Sequence, residues 1–117
     1  MCLASEVLIS GGADMLIRVL VLPVGKPPEV REIDNGLEAM QAIVGGYIET
    51  VSLDGSVAAV VNEDGPRLHL PNNRIVGHSV VVGQVFVVRF NDEGEFVSLT
   101  DEDVARWSEK FADWIKG

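Results

Sequence analysis

A chain of 117 residues with 47% hydrophobic content is long enough to close one core and too apolar to be a disordered acidic polymer. Nine basic against eighteen acidic residues give a formal charge of −9, which disfavours direct nucleic-acid binding unless a local basic patch overrides the field. No apolar run approaches the roughly 18 residues of a membrane helix, and the single cysteine, Cys2, cannot close an internal disulfide, so the expectation is a cytoplasmic protein without membrane contact.

Residues 1–14 read as a dispensable extension. Val7-Leu8-Ile9 lacks the basic flank of a secretory signal, and Gly11-Gly12-Ala13-Asp14 is a flexible break before Met15. Residues 15–117 form the single expected domain. Leu16 to Leu22 is nearly continuous and apolar, the pattern of a strand covered on both faces. Pro23 ends it, Gly25-Lys26-Pro27-Pro28 turns the chain, and Val30 to Ile33 predicts a more exposed edge strand or hairpin partner. A helix over about 35–45 follows: Asn35 as cap with Glu38 as its reciprocal partner, then Leu37, Met40, Ile43 and Val44 at helical spacing, and Gly45-Gly46 as the left-handed stop.

Tyr47 to Leu53 alternates as a strand, with Tyr47, Glu49, Val51 and Leu53 on one face. Asp54-Gly55 turns it into a returning strand, Val57 to Val61, closed by Asn62-Glu63-Asp64-Gly65. Arg67 to Leu70 predicts a brief strand stopped by Pro71-Asn72-Asn73. Val85 to Phe90 and Glu95 to Leu99 form a second hairpin around Asn91-Asp92-Glu93-Gly94. The closing helix, 101–115, is capped by Thr100, carries Asp101, Glu102 and Asp103 in its first turn, and shows one apolar stripe of Val104, Trp107, Phe111, Trp114 and Ile115. Short hairpins cannot join parallel strands. The expected fold is therefore α+β: a mainly antiparallel sheet with both helices packed on one face.

Residues suited to bond-making chemistry are sparse. His69 and His78 have no cysteine partners, so they read as surface histidines and no metal or cofactor is expected. Cys2 has nothing to hold an activating base, no serine sits in a nucleophile elbow, and no glycine string fits a phosphate loop. An enzyme is not expected. The most suggestive stretch is Arg67-Leu68-His69-Leu70-Pro71-Asn72-Asn73-Arg74, cationic and amide-rich in an acidic chain. With Tyr47, the residues Arg67, His69, Asn72, Asn73 and Arg74 are the candidate site for an anionic small ligand. Turn chemistry is the competing account of Pro71-Asn72-Asn73. Trp107, Phe111 and Trp114, on one helix face, read as core whose aromatic stripe extends into a homodimer or partner interface.

Five strings carry a resemblance: Ile17-Arg18-Val19-Leu20-Val21 through Gly25-Lys26-Pro27-Pro28; Val44-Gly45-Gly46-Tyr47-Ile48-Glu49, the most specific; Asn62-Glu63-Asp64-Gly65; Leu70-Pro71-Asn72-Asn73-Arg74; and Glu95 to Asp103. On them the chain resembles the domain-of-unknown-function family numbered 3846, small proteins of bacteriophages, actinobacteria and mobile elements. The resemblance implies a phage or mobile-element origin and an intracellular setting, and it implies no activity. The leading expectation is a non-catalytic accessory protein that binds a host or viral protein. One alternative is a module that binds or sequesters a nucleotide-like ligand. Another is an acidic nucleic-acid mimic presenting Asp92, Glu93, Glu95, Asp101, Glu102 and Asp103.

Overall fold

Parity along the first strand organises the molecule. The computed structural model describes residues 15–116, and the expected extension, residues 1–14, lies outside them. In β1 (Leu16–Leu22) the odd positions Ile17, Val19 and Val21 pack on one side of the sheet, and Leu20 and Leu22 on the other. Successive side chains of a strand point to opposite faces, so an unbroken apolar run needs a core on each.

β1 turns through Pro23 to Pro28 into β2 (Glu29–Asp34), and α1 (Leu37–Val44) follows. Next comes the hairpin of β3 (Ile48–Ser52) and β4 (Val57–Asn62), then that of β5 (Asn72–Val76) and β6 (Ser79–Val82). β7 (Val85–Phe90), the short β8 (Phe96–Val97) and α2 (Asp101–Lys110) complete the order. The main sheet runs β2-β1-β7-β4-β3, every pair antiparallel, with β8 attached to the end of β7. β5 and β6 make a separate two-stranded ribbon. The α+β class is as the sequence predicts.

The placement of the helices is not. Met40 and Val44 of α1 pack with Ile17, Val19, Phe86 and Val88 on one face. Trp107 and Phe111 of α2 pack with Leu20, Leu22, Val85 and Val87 on the opposite one. The expectation of both helices on one face is therefore corrected. β1, β4 and β7 are apolar at consecutive positions, and a single helical layer would leave half of those side chains in water. Val76 and Val81 of the ribbon complete the α2 side.

Two helix ends also move. α1 has Gly36 at its N-cap with no side-chain cap, while the Asn35 amide donates to the Phe96 carbonyl at 3.2 Å. Its other end is as expected: Gly45 is left-handed at φ 82° and its N–H returns to the Gln41 carbonyl. α2 stops at Lys110 rather than 115, leaving Trp114 and Ile115 in a tail whose Ile115 N–H donates to the Asn73 carbonyl at 2.8 Å. Its start is a full capping box between Thr100 and Asp103. The predicted strand at Arg67–Leu70 is a turn instead. Leu68, His69 and Leu70 donate back to Asp64, Pro66 and Gly65, a local winding that no extended strand can make. Among the described residues no helix is long and apolar enough to cross a membrane.

Candidate functional site

Two of the six candidate ligand residues are inside the protein. Asn73 and Arg74 are 0% and 1% exposed. The Asn73 amide donates to the Leu22 and Gly83 carbonyls, both at 2.7 Å, and ties β1 to the ribbon. The Arg74 guanidinium donates to the carbonyls of Phe111 (2.7 Å), Pro23 (2.9 Å) and Lys26 (2.7 Å) and to Asn73 Oδ1 (2.6 Å). Those partners come from α2, from the β1–β2 turn and from β5, so one side chain joins three segments.

This buried cation is matched by carbonyl oxygens rather than by a carboxylate. The Phe111 carbonyl belongs to the C-terminal end of α2, where the helix dipole is negative. Trp114 lies beside the guanidinium, 5.8 Å from ring centroid to carbon. Burial pushes the Arg74 pKa below its ordinary value, and an arginine so lowered still keeps its proton. As a reader of a soluble anion, Arg74 is corrected: its donors serve the fold.

The other four candidates are scattered: two share a hollow, one lines a separate depression and one lies in neither. Tyr47 and Arg67 meet in a hollow of about 280 Å³ completed by Gln41, Gly46, Asn62, Asp64 and Leu68. Arg67 is paired there with Asp64 at 3.2 Å, which raises its pKa. Asn72 lies elsewhere, in a shallow depression with Pro71 and Trp114. His69 is exposed and left-handed at φ 57°, and His78 is exposed at the tip of the β5–β6 ribbon. Among the described residues no group of three or more histidine, cysteine, aspartate or glutamate side chains is placed to hold a metal ion.

The aromatic stripe of α2 divides in the same way. Trp107 and Phe111 are core, 4% and 3% exposed, with their rings stacked 5.8 Å apart. Trp114 is half-buried beyond the helix. The two core rings also form one wall of a groove of about 600 Å³. Its other walls are Val51 to Leu53, from the end of the edge strand β3, and Val76 and Gly77 at the ribbon tip. Arg106, Glu109 and Lys110 rim it. Arg106 bonds Asp54 at 3.1 Å and covers the Trp107 ring at 4.7 Å, while the indole N–H of Trp107 is buried without an acceptor.

No residue of this groove except Trp107 and Phe111 is a sequence candidate. The available signal was the β3 face of Glu49, Val51 and Leu53 next to a strand that carries almost no charge. What the sequence hides is that α2 and the ribbon tip close over that face.

The acidic residues are structural at one end and solvated at the other. Asp103 accepts a two-pronged bond from Arg89 (2.7 and 2.8 Å) and the Thr100 N–H, and its pKa falls to about 2, chiefly because of Arg89. Asp101 pairs with Arg18 at 2.8 Å. Asp92 and Glu93 are exposed in the β7–β8 turn.

The strings behind the resemblance are joints of this architecture. The Asn62 amide donates to the Val44 carbonyl at 3.0 Å and its oxygen accepts the Asp64 N–H at 2.8 Å, fastening α1 to the end of β4. A Cβ on Gly46 would stand 2.9 Å from the Asn62 amide nitrogen, so a larger residue there must displace the amide that holds the Val44 carbonyl. No curated protein and no solved structure matches the chain. A family model described as Domain of unknown function (DUF3846) matches residues 17–112, and the chain belongs to that family.

Proposed function

We propose that the domain is a non-catalytic binding module that docks a protein partner in the groove between α2 and β3. The observation that carries this reading is the groove itself, a concavity lined by the half-buried Val51 and Leu53 next to the largely buried Val76 and Trp107 and rimmed by Arg106, Glu109 and Lys110. Open apolar concavities with a polar rim are the features through which proteins recognise one another. A phage or mobile-element origin, which the resemblance implies, makes a host or viral protein the natural partner.

The test is crosslinking in host lysate with three forms of the domain. Ser52→Arg sets a long cationic side chain at the exposed end of β3, where Ser52 borders the groove, without entering the core. Tyr47→Ala opens the separate hollow. The partner captured by the wild type is expected with Tyr47→Ala and absent with Ser52→Arg. Capture that survives Ser52→Arg and fails with Tyr47→Ala moves the site to the hollow.

A second reading, an anionic small ligand, is favoured by the meeting of Tyr47 and Arg67 over an apolar patch of Leu68. A nucleotide panel should then shift the melting temperature of the wild type and not of Arg67→Ala. Absence of any shift across the panel removes this reading.

A further inference from the structure

The two edges of the main sheet are built differently. β2, at one edge, has the sequence Glu-Val-Arg-Glu-Ile-Asp, and charges along an edge block pairing with other chains. β3, at the other, reads Ile-Glu-Thr-Val-Ser, with Glu49 its single charge. Among the described residues no strand pairs its outer side.

The free backbone groups can be assigned. Leu53 donates to the Val57 carbonyl and Glu63 to the Tyr47 carbonyl, so 47 and 53 are hydrogen-bonded positions of the β3–β4 ladder. Antiparallel ladders alternate, which places 49 and 51 with them. The N–H and C=O groups of Ile48, Thr50 and Ser52 therefore point away from β4. The groove opens beside the end of this edge, over Val51 and Leu53. A chain added here would bond to the backbone at Thr50 and Ser52 and send every second side chain over the apolar floor.

Charge selects the occupant. The molecule carries −9; beside the path Glu49 and Glu109 are exposed, Lys110 is an exposed cation at the groove rim, and Arg106 is held by Asp54, so the attraction for a cation comes from the net field of the whole molecule. A second copy brings another −9 and is repelled, whereas a cationic segment is drawn in. We infer that β3 accepts, by strand addition, an extended basic peptide segment of a partner protein with apolar residues at alternate positions. This rests on the docking reading above and specifies its mode and partner chemistry.

The probe is a panel of fluorescein-labelled peptides about ten residues long that alternate lysine with valine, leucine or phenylalanine. Anisotropy titrations are run against wild-type protein and Thr50→Pro. Proline at this outward position deletes one edge donor and leaves the β4 ladder alone. At least one peptide should bind, weaken steeply from low to high salt, and lose about tenfold or more with Thr50→Pro. Hydrogen exchange of the wild type keeps the test independent of that variant's folding, since bound peptide should slow the Thr50 and Ser52 amides.

Unchanged exchange at both amides, or no binding across the panel, overturns the inference. So does a salt-insensitive dimer abolished by Thr50→Pro, which would assign the edge to self-association. If the Ser52→Arg-sensitive partner of the crosslinking experiment is still captured by Thr50→Pro, strand addition fails and the docking module stands.

Discussion

Arg74 shows how a side chain that looks like a ligand reader becomes a fastener. A guanidinium offers five N–H donors in a rigid fork, which suits it to gather carbonyls from several segments at once. Here it collects the end of α2, the turn after β1 and its own neighbour Asn73. Removing it strands those acceptors in a site closed to water, and each buried acceptor left unmade costs about 1–3 kcal/mol. Arg74→Met, which keeps much of the volume, should lower stability by about 3 kcal/mol or more in urea unfolding. Arg74→Lys should recover only part of the loss, because one ammonium cannot reach partners set in a fork. A midpoint for Arg74→Met equal to that of the wild type would mean that the carbonyls are satisfied without the guanidinium. Any loss of binding in an Arg74 variant must accordingly be separated from loss of the fold.

At the scale of elements, α2 is stabilised at its start by a carboxylate with two duties. Asp103 closes the capping box with Thr100 and receives Arg89 from β7, and its folded pKa is about 2. The unfolded value is about 4, so the folded state prefers the ionised form. That contribution is complete above about pH 4 and disappears as pH falls toward 2; it is worth roughly 2 kcal/mol. Asp103→Asn can still accept the Thr100 N–H but forms no ion pair. It should be less stable than the wild type at pH 7 and should lose less on acidification from pH 5 to 2, as followed by circular dichroism. Parallel acid curves for the two proteins would contradict this. The cap was legible because Thr100, the acidic first turn and the apolar stripe sit adjacent in sequence. So were the hairpins around Asp54-Gly55 and around residues 91–94, and the left-handed stop at Gly45. The end of α2 was not legible: Trp114 and Ile115 continue the helical period, but Arg74 takes the Phe111 carbonyl and Asn73 receives the Ile115 N–H. Neither partner is near in sequence. The same distance hid the site. Asn73 and Arg74 read as exposed loop polarity because β5 was unrecognised, and the groove exists only where β3, α2 and the ribbon tip converge.

For the whole molecule, the consequence of placing the helices on opposite faces is two cores that share one sheet. Val85 and Val87 belong to the α2 side and Phe86 and Val88 to the α1 side, though all four are neighbours in β7. Neither core can dissolve without loosening the strand that serves the other, so the domain should unfold as one cooperative unit. Met40, 4% exposed under α1, provides the test, because both tryptophans of the chain, Trp107 and Trp114, belong to α2 and its tail on the other side. Met40→Ala should cost about 2–3 kcal/mol through the cavity it leaves. Tryptophan fluorescence and far-ultraviolet circular dichroism should then report the same shifted urea midpoint, although the altered core contains no tryptophan. Peptide binding at β3 should be preserved under native conditions, since the groove draws its walls from the α2 face. If the fluorescence midpoint stays at the wild-type value while circular dichroism moves, the two sides of the sheet unfold separately. The shared strands would then be connectors between independent layers rather than the element that unites them.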